Sequence, residues 1–121
     1  MIVLFHGLGG HGLFPTVRYL AELLVAQQLM VYSMDFSGHG QDLGLRGFLS
    51  SSEVLLQEGM HLVKYAQQHS PRMPLFFAGT SMGGAVALLL SLEIKVGAGL
   101  VLLAPMVSIP VSSLQLWMLQ R

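Results

Sequence analysis

The sequence predicts a parallel α/β fold, a central sheet of about four strands flanked by helices, and three observations carry that reading. First, short apolar runs alternate with longer segments of helical periodicity: 2–5, 16–28, 30–34, 51–68, 75–78, 82–92 and 99–103. Strands that alternate with helices are joined by crossovers, and crossovers make neighbouring strands parallel. Second, several runs are continuously apolar, as in strands or helices packed on more than one side, so Ala85–Leu90 and Gly99–Val107 are expected to be buried. Third, two of the strands run straight into glycine-rich loops, one at His6–Gly12 and one around Ser81. With 53% hydrophobic and 10% charged residues, the 121 residues carry enough apolar material for one core, and 1–121 reads as a single domain.

Each element has a local reason. Ile2–Phe5 is too short for a helix and ends at a glycine loop. In the first helix, Pro15 suits an opening turn, and Val17, Leu20 and Leu24 recur at helical spacing so that they can face the sheet. Met30–Met34 is the second strand, followed by Asp35 and the turn Gly38-His39-Gly40. Ser50 and Glu53 stand at capping-box spacing ahead of the next helix, whose inward stripe is Leu56, Met60 and Val63, with Gly59 as a weak point. Ser70-Pro71-Arg72-Met73-Pro74 ends that helix, Leu75–Ala78 is the third strand, Met82–Leu92 the third helix and Gly99–Leu103 the fourth strand. Two glycine loops that face each other require the first strand to lie between the second and third. Val111–Arg121, with Trp117, reads as an amphipathic or apolar tail.

Composition narrows the function. The formal net charge is zero and the six Lys and Arg are scattered, so no basic stripe exists for nucleic acid and no polybasic patch for a membrane. The absence of cysteine removes disulfides, thiolate metal sites and cysteine nucleophiles, which suits a cytoplasmic setting. The apolar stretches are too short to span a bilayer, leaving at most transient contact with a membrane surface.

The chemistry concentrates in Phe76-Phe77-Ala78-Gly79-Thr80-Ser81-Met82-Gly83-Gly84, an apolar strand passing through Gly-x-Ser-x-Gly into a helix. A serine hydroxyl attacks a carbonyl only when its oxygen is held out beside a base, and a sharp strand-to-helix turn presents it so. Gly79 and Gly83 relieve crowding around that turn. Ser81 is therefore the candidate nucleophile. The backbone N–H of Leu8, from the first loop, and that of Met82, at the start of the helix, are the candidate donors to a developing oxyanion.

His6-Gly7-Leu8-Gly9, Asp35-Phe36-Ser37-Gly38-His39-Gly40, Gly79-Thr80-Ser81-Met82-Gly83-Gly84 and Leu103-Ala104-Pro105-Met106 together resemble the α/β-hydrolase superfamily. Within it the chain is similar to the group of monoacylglycerol lipases and plant lysophospholipase-type esterases, which borders on the serine aminopeptidases. The resemblance covers nearly the whole chain. It implies a serine ester hydrolase acting on a small acyl ester or lipid such as a monoacylglycerol or lysophospholipid, with no metal or organic cofactor. One departure is Gly38-His39-Gly40-Gln41-Asp42-Leu43-Gly44, where the family often has Gly-His-Gly-x-Ser-x-Gly. The family's chain order of Ser, acid, His implies an acid and a base beyond Arg121, after a lid, and earlier strands before Met1, so that 1–121 would be the N-terminal half of a catalytic core.

All five histidines precede Ser81, and Glu93 is the one acid after it. His6, His11 and His39 are expected to order their loops rather than to act as bases, and His61 and His69 to be partly solvated on a helix. Asp35 is expected to bond to its following turn, Asp42 to be a solvated charge, and the methionines to pack the core with a share in an acyl pocket. Without a downstream histidine the chain by itself is expected to be a feeble hydrolase. The alternative is a non-catalytic fragment or interaction module, self-associating through exposed sheet edges.

Overall fold

A computed structural model of the chain describes residues 1–49 and 51–108. The elements follow in the order β1 (Ile2–Phe5), α1 (Pro15–Ala26), β2 (Val31–Ser33), α2 (Ser52–His69), β3 (Leu75–Thr80), α3 (Met82–Glu93) and β4 (Gly97–Leu103). The sheet is parallel, in the order β2-β1-β3-β4, so the first strand lies between the second and third as expected. In register, Ile2 stands beside Val31 on one side and Phe76 on the other, and Phe5 beside Gly79.

The strand pleat divides the core. Val3, Phe5 and Phe77 face α2 and α3, packing with Leu62, Val63, Ala66, Val86 and Leu90. Ile2, Leu4 and Ala78 face the opposite side, where Val17, Leu20 and Leu24 of α1 cover them. Period-two alternation in the strands and helical spacing in α1 place these side chains. Gly59 is a contact point rather than a weakness: a Cβ there would stand 2.8 Å from Leu90 and 3.0 Å from Val86, so its absence lets α2 approach α3 closely. The buried stripe of α2 centres on Gly59, Leu62, Val63 and Ala66, rather than on Leu56 and Met60, which are half-buried.

The N-cap of α2 is Ser51, whose hydroxyl accepts the Val54 N–H at 3.3 Å; the expected cap, Ser50, lies outside the described residues, as does the Val111–Arg121 tail with Trp117. α1 ends at Ala26 because Gln28 takes a left-handed conformation, φ 64°. β4 corrects the expectation of burial. Val101 is 52% exposed and Leu103 41%, because β4 is an edge strand and no described element covers its outer side. Its glycines have a packing reason, since a Cβ at Gly97 would meet the Phe77 ring at 2.7 Å and one at Gly99 the Phe76 ring at 2.8 Å. Among the described residues, no helix is long and apolar enough to cross a membrane.

Candidate active site

The carboxyl ends of β1 and β3 lie side by side, and their loops meet there. Ser81 occupies the single residue between β3 and α3, with φ 50° and ψ −118°. A side chain at positive φ is strained, and the surroundings must hold it. Three backbone bonds do so: Ser81 N–H donates to Leu103 O at 3.0 Å, and Ser81 O accepts from Met106 N at 2.9 Å and from Ala85 N at 3.2 Å. The segment Leu103–Met106 thus braces the turn from the end of β4, a function of that motif that sequence reasoning missed.

The flanking glycines are required by backbone contacts. A Cβ on Gly79 would collide with Gly83 O, and one on Gly83 with the carbonyls of Phe5 and His6. Gly83 thereby seats the first turn of α3 directly on the end of β1. Ser81 itself is exposed, and its hydroxyl makes no capping bond to α3.

A cavity of about 230 Å³ opens beside it, lined by Gly7, Gly9, Gly10, Thr16, Thr80 and Ser81, with Leu8, Phe14 and Val17 as its apolar side. A Cβ on Gly7 would stand 3.1 Å from the Ser81 Cβ, so the first loop passes in contact with the serine. Leu8 follows Gly7, and Met82 follows Ser81 at the start of α3, where helix geometry leaves the leading N–H groups without intrahelical partners.

The histidines of the site are tied to the backbone. His6 is fully buried; its Nδ1–H donates to Gly7 O at 2.8 Å and its Nε2 accepts Phe36 N–H at 3.1 Å. Both bonds together require the neutral ring. Burial, the largest effect, holds its pKa below the ordinary histidine value. His39 is also buried, its Nδ1–H donating to Ser37 O at 2.9 Å, its ring centre 5.2 Å from that of His6, and its Nε2 without a hydrogen-bond partner among the described residues. His11 Nδ1 accepts Leu13 N–H at 3.2 Å. His61 and His69 are exposed on α2, with His69 stacked on Tyr65.

The acids also belong to loop architecture. Asp35 accepts Gly12 N–H at 2.6 Å and Gln41 N–H at 3.0 Å, so it reaches its own turn, as expected, and the first glycine loop as well. Burial acts to raise the Asp35 carboxyl, but these two N–H donors, together with the charges of His6 and His11, hold it below the ordinary carboxylate value. Asp42 is not a free solvated charge: its Oδ2 accepts Gly38 N–H at 2.7 Å and Gly44 N–H at 2.9 Å, which lowers its pKa. Glu58 of α2 takes both the N–H and the hydroxyl of Ser37, fastening the same loop to the helix. Neither contact was legible in sequence, since Glu58 lies 21 residues from Ser37.

Comparison with known proteins agrees with this geometry. A family model described as serine aminopeptidase, S33, matches residues 1–121. The monoglyceride lipase of Homo sapiens is 38% identical over 111 residues, which are 88% of this chain and 35% of that protein. Among solved structures, the monoacylglycerol lipase of Paleococcus ferrophilus superposes with a TM-score of 0.75 at 27% identity, over 98% of this chain and 44% of that one. Est1E from Butyrivibrio proteoclasticus, solved with ferulic acid bound, gives 0.79 at 25% identity over 90% and 44%. The chain spans about a third of the length of the curated relatives it matches. With its parallel sheet and its sharp turn at Gly-x-Ser-x-Gly, the chain belongs to the serine aminopeptidase S33 family of α/β hydrolases.

Proposed function

We propose that the chain carries the nucleophile half of a serine ester hydrolase of the monoacylglycerol lipase or lysophospholipase type. The observation that carries this reading is Ser81, exposed at φ 50° between a buried strand and helix, its hydroxyl uncapped, beside the His6–Gly12 loop. Ser81 Oγ attacks the ester carbonyl. The N–H groups of Leu8 and Met82 receive the oxyanion, each such donor contributing roughly 3–4 kcal/mol to transition-state stabilisation. Collapse of the tetrahedral intermediate breaks the ester C–O bond and releases the alcohol, which takes up the proton lost by Ser81; water then attacks the acyl-enzyme, releasing the carboxylic acid and restoring the serine, with no cofactor. Support for an acylglycerol as substrate comes from the names of the relatives and from the apolar side of the cavity, formed by Leu8, Phe14 and Val17.

Serine needs an imidazole to take its proton, and no histidine follows Ser81. His6 has both ring nitrogens engaged, and no described histidine bonds to Ser81. The 121-residue chain by itself is therefore expected to turn over slowly. The test compares the chain with Ser81→Ala on a short-chain activated ester and a monoacylglycerol. Slow turnover abolished by Ser81→Ala supports the reading, and equal rates for the two overturn it.

A second reading, an interaction module, is favoured by one observation, the exposed apolar edge at β4. Backbone groups on the outer side of β4, which pair with no strand among the described residues, would pair with a second copy of the chain.

A further inference from the structure

The first glycine loop is held at both ends by consecutive residues of a different segment. At its start, His6 Nε2 accepts the N–H of Phe36, and at its far end Asp35 Oδ1 accepts the N–H of Gly12. Between these points Gly7 O accepts twice, from Gly10 N–H at 3.0 Å and from His6 Nδ1–H at 2.8 Å. Gly9, at φ 73°, would meet nothing within 4 Å if it carried a Cβ, whereas a Cβ on Gly10 would stand 3.1 Å from Gly7 O and 3.6 Å from the His6 ring, so the loop packs on His6 at Gly10 and is open at Gly9. The other Asp35 oxygen holds Gln41 N–H. A Cβ on Gly40 would collide with the Asp35 carboxylate, and one on Gly12 would stand 3.3 Å from Oδ1, so both loops close tightly around this one group.

We infer that Asp35 is a positioning residue for the oxyanion donor: its carboxylate fixes the far end of the Gly7–Gly12 loop against the Gly38–Gly44 turn and so sets where the Leu8 N–H points. The inference rests on the ester-hydrolase reading for its catalytic meaning and on geometry for the tie itself. A carboxylate accepts at both oxygens, whereas an amide accepts at one and turns donors toward the other N–H. Asp35→Asn therefore breaks one of the two ties while keeping size and shape. Oxyanion donors act only when aimed at the position of the developing charge, and a displacement of about 1 Å costs roughly a hundredfold in rate.

The test uses the full 121-residue chain, ¹⁵N-labelled, with Asp35→Asn and, as a control, Asp42→Asn. Asp35→Asn is expected to move the amide resonances of Gly7–Gly10 as well as those of Gly12 and Gln41, while Asp42→Asn moves Gly38 and Gly44 and leaves Gly7–Gly10 in place. Changes confined to Gly12 and Gln41 overturn the inference. If Asp35→Asn does not fold, acid titration of the unsubstituted chain decides. Gly7–Gly10 are expected to shift together with Gly12 and Gln41 as the Asp35 carboxyl, on which His6 and His11 act electrostatically, takes its proton. Separate midpoints overturn the inference. In Ser81-dependent ester turnover, Asp35→Asn is expected to lower kcat about tenfold to a hundredfold with KM within about twofold. A chain with no Ser81-dependent turnover defeats the hydrolase reading while the amide shifts still decide the tie. Unchanged kcat in a chain that does turn over defeats the inference alone.

Discussion

β3 and β4 are hydrogen-bonded neighbours of similar apolarity, yet they fare differently. In β3, Leu75, Phe77, Ala78 and Gly79 are buried, and the strand ends at the candidate nucleophile. β4, Gly-Ala-Gly-Leu-Val-Leu-Leu, is exposed or half-buried along its whole length. The difference lies in neighbours: among the described residues β3 has a strand on each side, while β4 has one. Apolar composition thus sets a demand for burial, and position in the sheet decides whether it is met.

The largest contrast is expected from truncating one side chain in each strand. Phe77→Ala, which empties a fully buried ring site, is expected to cost about 3–5 kcal/mol, and Val101→Ala within about 0.5 kcal/mol, in urea unfolding. A comparable loss at Val101 would mean that its outer face is covered in solution.

A smaller effect should appear on acidification, at the inner end of the site. The folded pKa of His6 is lowered by burial, so as pH falls below the unfolded value the unfolded chain gains a proton that the folded chain refuses. Stability should therefore fall with pH from about 6.5 downward until the folded pKa is reached. His6→Asn should flatten that slope in unfolding curves taken between about pH 7.5 and 5. An unchanged slope would place the titrating group elsewhere.

The smallest effect on stability is expected at the outer edge. Val101→Thr with Leu103→Thr places strand-favouring β-branched residues at both positions and should leave unfolding within about 1 kcal/mol, while reducing self-association seen by sedimentation. Unaltered sedimentation of a self-associating chain would remove β4 as the contact.

Alternating apolar runs and glycine signals fixed the elements to within a few residues and the turn at Ser81, because each depends on local periodicity or on a backbone angle that few residues tolerate; the strand order followed from the requirement that the two glycine loops meet at one end of the sheet. Gly79 and Gly83 announced that turn in the sequence, but the partners that require them, Gly83 O and the carbonyls of Phe5 and His6, come from packing. Long-range ties left no mark in the chain. Asp42 looked like a solvated loop charge until Gly38 and Gly44 were brought to its carboxylate, and nothing in the sequence singled out Glu58 as the partner of Ser37. Asp35 was legible as a turn acceptor because Gln41 is near in sequence, and illegible as a tie to Gly12, 23 residues away, because only the pairing of β1 with β2 closes that distance. Local geometry is written in neighbouring residues, whereas burial and cross-loop hydrogen bonds depend on which elements the tertiary fold sets side by side.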